Sequence, residues 1–247
     1  MPLPVSAASV SRRVFTAFSA AAAASRTCRT TAPSPARHSI YLSAAGGDPV
    51  RALALYEWNT ALTCAVLRDL SHFEIALRNA YAGALDATWT GATHWLDDPA
   101  SPLRAPLIRV KKGGRRGPRQ VDINDKTRSA IDSARKRYGR TAPPGKVIAD
   151  LSLGVWRYLS TSAHEKTLWV PHLHFAFPPG TNRATVDQLI GDLHELRNRA
   201  AHWEPLLTVP VDVRMKDLLT VTGLLGPDLA AYIQHSSHVV PMLAQRP

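Results

Sequence analysis

After Pro49 the chain runs to Thr88 with no further proline and with Gly83 as its one glycine. Along that run Leu62, Val66, Leu70, Phe73, Leu77 and Leu85 recur at three- and four-residue steps, the last a doubled four, the period that lines one face of a helix. The spacing predicts one long helix or two nearly continuous ones. Asp48 is placed to cap it and Pro49 to open it, because a proline at the first helical position gives up an N–H that has no helical partner anyway. Glu74 falls one turn from both Leu70 and Leu77, at the edge of the apolar stripe, where a carboxylate needs a partner. Arg78 stands four residues further on.

The remaining elements read the same way. Residues 89–104 form a turn-rich connection holding Trp95 and Leu96. A helix follows from Asn124 as cap to Tyr138, with Ile131, Ala134 and Tyr138 on its apolar side, and the 143–145 Pro-Pro-Gly run ends it. Val147, Leu151, Val155 and Leu159 define another helix, to which Trp156 and Tyr158 add aromatic bulk. Pro171 and Pro178 bracket a short helical piece. Asn182 or Thr181 caps a helix whose core stripe is Val186, Leu189, Ile190, Leu193 and Ala200, and two short helices complete the chain at 212–225 and 228–234. No segment alternates with period two for long enough to predict a strand. The fold class expected is all-α, in one domain over 36–247, since 247 residues suffice for one substantial core and are short for two.

Charge is unevenly spread. The net charge is +11, and residues 104–140 hold thirteen basic side chains against three acidic ones. Within them, Arg109, Lys111, Lys112, Arg115, Arg116 and Arg119 sit in a glycine-containing stretch that reads as a basic loop. Such a concentration points to an anionic partner, nucleic acid before membrane, because no helix with a broad apolar face accompanies it. Residues 1–35 contain basic but no acidic side chains and read as a disordered or non-conforming extension. Ser11, Arg12 and Arg13 before an alanine-rich run also resemble a twin-arginine signal, and a mis-called start is the third reading. Cys28 and Cys64 alone supply no disulfide framework and no cysteine-based zinc site, in keeping with a reducing compartment.

The stretch richest in chemistry is 193–205, L-H-E-L-R-N-R-A-A-H-W-E-P. It places Arg197, Asn198 and His202 at the end of an apolar-periodic helix, with Pro205 just beyond. Arginine is a permanent cationic fork suited to phosphate, and histidine both gives and takes a proton near neutrality. Five residues on a helix turn through about 140°, so Arg197 and His202 do not share a face, whereas Asn198 and His202 do. The plain alternative is that Arg197 pairs with a carboxylate such as Glu74 and that His202 only terminates the helix.

The Arg-Asn-x-x-x-His run resembles the signature of the HEPN superfamily of all-helical ribonucleases. Further blocks are similar to its Abi-like (abortive infection) family: A-A-G-G-D-P with A-L-Y-E-W-N over 44–59, E-I-A-L-R-N over 74–79 and L-S-L-G-V-W-R-Y-L over 151–159. L-W-V-P with F-A-F-P over 168–178 and L-R-N-R-A-A-H-W-E-P over 196–205 complete the series, in the family's order. The resemblance implies a multi-helix HEPN-like bundle with a long N-terminal helix and a basic inserted loop. It implies a cytoplasmic, metal-independent endoribonuclease that needs no cofactor, with a composite site in a homodimer, a role in phage defence or toxin-like growth arrest, and a cognate inhibitor of unknown nature. On that carry-over His202 transfers protons, Arg197 neutralises the phosphorane and Asn198 orients the pair, while Glu74, Arg78 and Asn79 support them from the long helix. The alternative is a catalytically silent helical module that binds RNA or protein.

Other patterns do not carry a function. Gly139 to Lys146 departs from the phosphate-binding loop in spacing and has Val147 where a magnesium-binding hydroxyl belongs. His172 and His174 form a pair without an evident third metal ligand.

Overall fold

The computed structural model describes residues 35–111 and 117–247, with side chains over 37–110 and 117–247. The 1–34 segment, Lys112, Arg115, Arg116 and the side chain of Lys111 lie outside the described residues. The chain divides into two units, Met1–Tyr56 and Glu57–Pro247. In the first, helix α1 (Pro35–Ala44) leads through Gly46 and Gly47, both at positive φ, to the start of α2 (Pro49–Thr88). A side chain at either position would be crowded by its own backbone, which is why glycine stands there. Asp48 caps α2 as expected: its Oδ1 accepts the N–H groups of Val50 at 2.9 Å and Arg51 at 3.3 Å. Tyr41 and Tyr56 meet edge to face.

The second unit is hung on the remainder of α2, which is one helix rather than two. Leu62, Val66, Leu70, Phe73, Leu77 and Leu85 are all buried. Its polar side chains tie down later chain at each level. Asn59 Oδ1 accepts the Leu206 N–H at 2.7 Å, buried Asp69 accepts Ser237 Oγ, and Arg68 donates to the Ser236 carbonyl. Lower down, Glu74 reaches Leu153 and Arg78 reaches Ala149.

Beyond the 89–104 connection, where Trp95 and Leu96 are buried, the structure departs from the sequence reading. Strands β1 (Ile108–Lys111) and β2 (Arg119–Asp122) pair antiparallel, Arg109 opposite Val121 and Lys111 opposite Arg119. Part of the expected basic loop is therefore a hairpin. Four residues of alternation are too few for a period to register, and Ile108 and Val110 remain exposed, so the pairing buries no apolar face that the sequence could announce. Helix α3 (Asp125–Tyr138) begins where expected, but Asn124 does not cap it. Its Nδ2 donates instead to the carbonyls of Pro102 and Ala105, fastening the connection to the hairpin base.

The helix expected through Val147, Leu151, Val155 and Leu159 is two helices, α4 (Pro144–Asp150) and α5 (Leu153–Arg157). All four apolar residues are buried, yet Leu151 and Ser152 are extended. A break frees backbone groups, and α2 satisfies them: Arg78 Nη1 donates to the Ala149 carbonyl at 2.9 Å and Glu74 Oε1 accepts the Leu153 N–H at 2.9 Å. Short 3-10 and π turns over 162–176 then lead to α6 (Arg183–Ala201), α7 (Val211–Leu225), α8 (Pro227–Ser236) and α9 (Val239–Leu243), the last unforeseen. Asn182 caps α6 by accepting the Thr185 N–H at 3.1 Å. Val186, Ile190, Leu193, Leu196 and Ala200 form its buried stripe; Leu196 takes the place expected for the half-buried Leu189. Apart from the hairpin, the described residues bear out the all-α class, and no helix among them is long and apolar enough to cross a membrane.

Candidate functional site

The C-terminal half of α6 carries the residues singled out in the sequence, and its neighbours decide what each can do. Arg197 is half-buried and points its Nε toward Glu74, 3.6 Å from Oε2. Glu74 thus ties α2 to two other elements, holding α5 by its backbone and Arg197 of α6 by charge. The partner that a carboxylate at the edge of the α2 stripe required is present. The Arg197 to Glu74 pairing expected in the plain alternative is present with it. Arg78 is committed to the end of α4, and Asn79 is exposed on α2.

Asn198 turns back along α6. Its Nδ2 lies 3.3 Å from Nε2 and 3.5 Å from Nδ1 of His194, one turn earlier on the helix. His194, Arg197 and Asn198 stand at i, i+3 and i+4, so they share an edge of α6. The sequence contains that spacing, but His202 matches the motif and His194 does not. Burial first, then the guanidinium groups of Arg157 and Arg197, hold the His194 pKa below the usual imidazole range, with Glu74 opposing them. At neutral pH the ring is uncharged, keeps a lone pair and can accept a proton or a hydrogen bond.

Arg157 arrives from the end of α5, a placement that no local pattern signals. It forms an ion pair with Asp187 of α6 and lies across Gly191, where a β-carbon would stand 2.5 Å from Nη2. A larger residue there would have to push the guanidinium aside. The next residue, Tyr158, is exposed, meets the edge of the His194 ring at 6.0 Å between centroids, and has the Arg157 guanidinium 5.5 Å from its own centroid. The edge of α6 therefore carries two guanidinium groups, a neutral imidazole and an amide, with a carboxylate at each of two corners.

His202 stands apart from this cluster. It is the exposed C-terminal cap of α6, its N–H donating to the Asn198 carbonyl at 3.0 Å. The helix does not fray toward Pro205. It closes through Trp203 N–H to Ala200 O at 3.0 Å and Glu204 N–H to Arg199 O at 2.9 Å, and Asn59 then holds Leu206. Arg197 and His202 stay about 140° and roughly 7.5 Å apart along the helix.

Of the basic residues, Arg109 donates to the Ala163 carbonyl at 3.3 Å and Arg119 is exposed on β2. His172 is buried and His174 is not. Thr88 spends its hydroxyl proton on the Ala84 carbonyl, so His172 Nδ1 donates to Thr88, and His174 Nδ1 donates to the Trp169 carbonyl. Among the described residues no group of three or more His, Cys, Asp or Glu is placed to hold a metal.

No family model, curated protein or solved structure matches this chain.

Proposed function

We propose that the protein is an endoribonuclease of the HEPN type, working by metal-independent transesterification at the C-terminal end of α6. The observation that carries this reading is that the last turns of α6 hold Arg197 and Asn198 beside the imidazole of His194, with His202 at the helix end. RNA supplies its own nucleophile. An imidazole takes the 2′-hydroxyl proton, the oxygen bonds to the adjacent phosphorus, and the phosphorus–O5′ bond breaks with its electron pair on O5′, which takes a proton. The ends produced are a 2′,3′-cyclic phosphate and a 5′-hydroxyl. His202 handles proton transfer, Arg197 stabilises the charge gathering on the phosphorane, and Asn198 holds the pair. Arg197 and His202 of one copy face different directions, so a homodimer in which two α6 ends meet lets both act on one phosphate. The HEPN-like bundle, the cytoplasmic setting, the Abi-like role in defence or growth arrest and a restraining inhibitor belong to the same reading through the resemblance. Arg109, Lys111, Lys112, Arg115, Arg116 and Arg119 supply contact to the RNA backbone, which weakens as salt rises.

One observation favours a second reading. Arg197 is paired with Glu74, as in a helical module that binds RNA or protein without cleaving it. Purified protein incubated with total cellular RNA in excess EDTA, beside the His202→Ala variant, separates the two. Cyclic-phosphate ends made by the wild type alone support the nuclease; intact RNA in both samples, with RNA still bound, moves the assignment to the binding module.

A further inference from the structure

Helix α6 closes on a left-handed residue that is not glycine. Trp203 has φ +56°, the one positive value at a non-glycine among the described residues. The two backbone bonds from Trp203 to Ala200 and from Glu204 to Arg199 form the helix ending whose left-handed position glycine ordinarily fills. There a β-carbon is crowded by the carbonyl oxygen that follows it, and conformations of this kind persist where function holds them. Burial does not explain the tryptophan, since 44% of it is exposed. The chain thus keeps its largest type of side chain in a strained backbone, facing water, directly after His202. A second exposed aromatic, Tyr158, stands against His194, but nine residues of helix turn through about 180°, so it faces away from the Trp203 end.

Resting on the ribonuclease reading, we propose that Trp203 is a base-stacking residue that seats an unpaired nucleobase beside His202. Stacking on an aromatic face requires a base free of its own helix, so the site takes unpaired RNA and discriminates against duplex. The preference for base identity is weak, because every base offers a π-face.

The test measures anisotropy of a short fluorescein-labelled 2′-O-methyl RNA strand, which cannot undergo transesterification, at low salt, alone and annealed to its complement. Wild type binds the single strand more tightly than the duplex. Trp203→Gly weakens single-strand binding about tenfold, while its melting midpoint does not fall, because glycine relieves the left-handed backbone; Trp203→Phe restores binding to within about threefold. Equal binding by Trp203→Gly and wild type overturns the inference, as does a duplex bound as tightly as the strand. The ribonuclease reading is scored apart, with the all-ribose strand in EDTA. Cleavage by wild type and Trp203→Gly at equal rates below saturation removes the stacking role and leaves the nuclease. Strand binding that depends on Trp203 without any cleavage removes the nuclease and leaves the stacking role. A wild type that neither binds the 2′-O-methyl strand nor cleaves the all-ribose one overturns both.

Discussion

Glu74 is the side chain whose removal tests most directly how the candidate site is held. Helix α5 begins at Leu153, but Ser152, at the capping position, makes no side-chain cap bond; the Glu74 carboxylate of α2 takes its place, accepting the Leu153 N–H at 2.9 Å. Leu153 is fully buried. In Glu74→Ala that N–H loses its acceptor, a change that costs about 1 to 2 kcal/mol on the scale of lost caps and unmet buried donors. The same substitution removes the Arg197 partner. That contact spans 3.6 Å between side chains 33% and 22% exposed, so solvent screens it and its loss adds about 0.5 kcal/mol. Glu74→Ala is therefore expected to cost about 2 kcal/mol. Glu74→Gln keeps an oxygen for the Leu153 N–H and loses only the charge, for about 0.5 kcal/mol. Urea unfolding followed by far-ultraviolet circular dichroism, with Arg197→Ala alongside, reads the difference. If Glu74→Gln proves as costly as Glu74→Ala, and Arg197→Ala matches both, then the charge pair and not the cap organises this corner, and the argument from the α4–α5 break fails. Under the ribonuclease reading Glu74→Gln also retains more cleavage than Arg197→Ala, because the guanidinium stays in place.

Acid provides a second handle. His164 is buried, its Nδ1 meets no hydrogen-bond partner among the described residues, and burial with the Arg109 charge pushes its pKa down to about 4. The unfolded chain takes up that proton near pH 6.5 and the folded one only near 4. Stability is thus intact above about 6.5 and falls as the pH drops toward 4, by about 2 kcal/mol at pH 5. His172 and His194, whose pKa values are also lowered, act in the same direction. Urea titrations at pH 7.5 and 5 are expected to show His164→Leu losing about 2 kcal/mol less than wild type between the two conditions; parallel losses would contradict the assignment. At Gly191, alanine gains about 1 kcal/mol of helix propensity but displaces the Arg157 guanidinium from Asp187. Gly191→Ala should leave the melting midpoint nearly unchanged in the wild type and raise stability by about 1 kcal/mol in an Asp187→Ala background, where no ion pair remains to be lost.

Local chemistry made several elements legible without the fold. The apolar steps from Leu62 to Leu85 defined α2, because a helical period is a property of neighbours along the chain and the stripe is buried whatever covers it. Asp48 and Asn182 capped their helices as expected, since a cap reaches only two or three residues forward. Glu74 announced a need for a partner by standing at the edge of an apolar stripe, but the sequence left open which partner it would find.

What lay beyond reach depended on groups far apart in sequence. The apolar pattern from Val147 to Leu159 marks burial but not the break between two helices, because the donors and acceptors that make the break tolerable come from Glu74 and Arg78, 79 and 71 residues earlier than their partners. Asn124 was expected to cap α3 and instead serves the Pro102 and Ala105 carbonyls, which tertiary folding brings to it. At the site, the sequence determined which residues can do phosphate chemistry, Arg197, Asn198 and His202, since that follows from side-chain type. The tertiary structure decided their company. Arg157 and Tyr158 come to α6 from another helix, Asn198 turns to His194, and Asn59 fixes the chain beyond His202. The physical reason is that a side chain's type sets the reactions open to it, while its burial, charge environment and direction are set by surfaces that meet only when the helices pack.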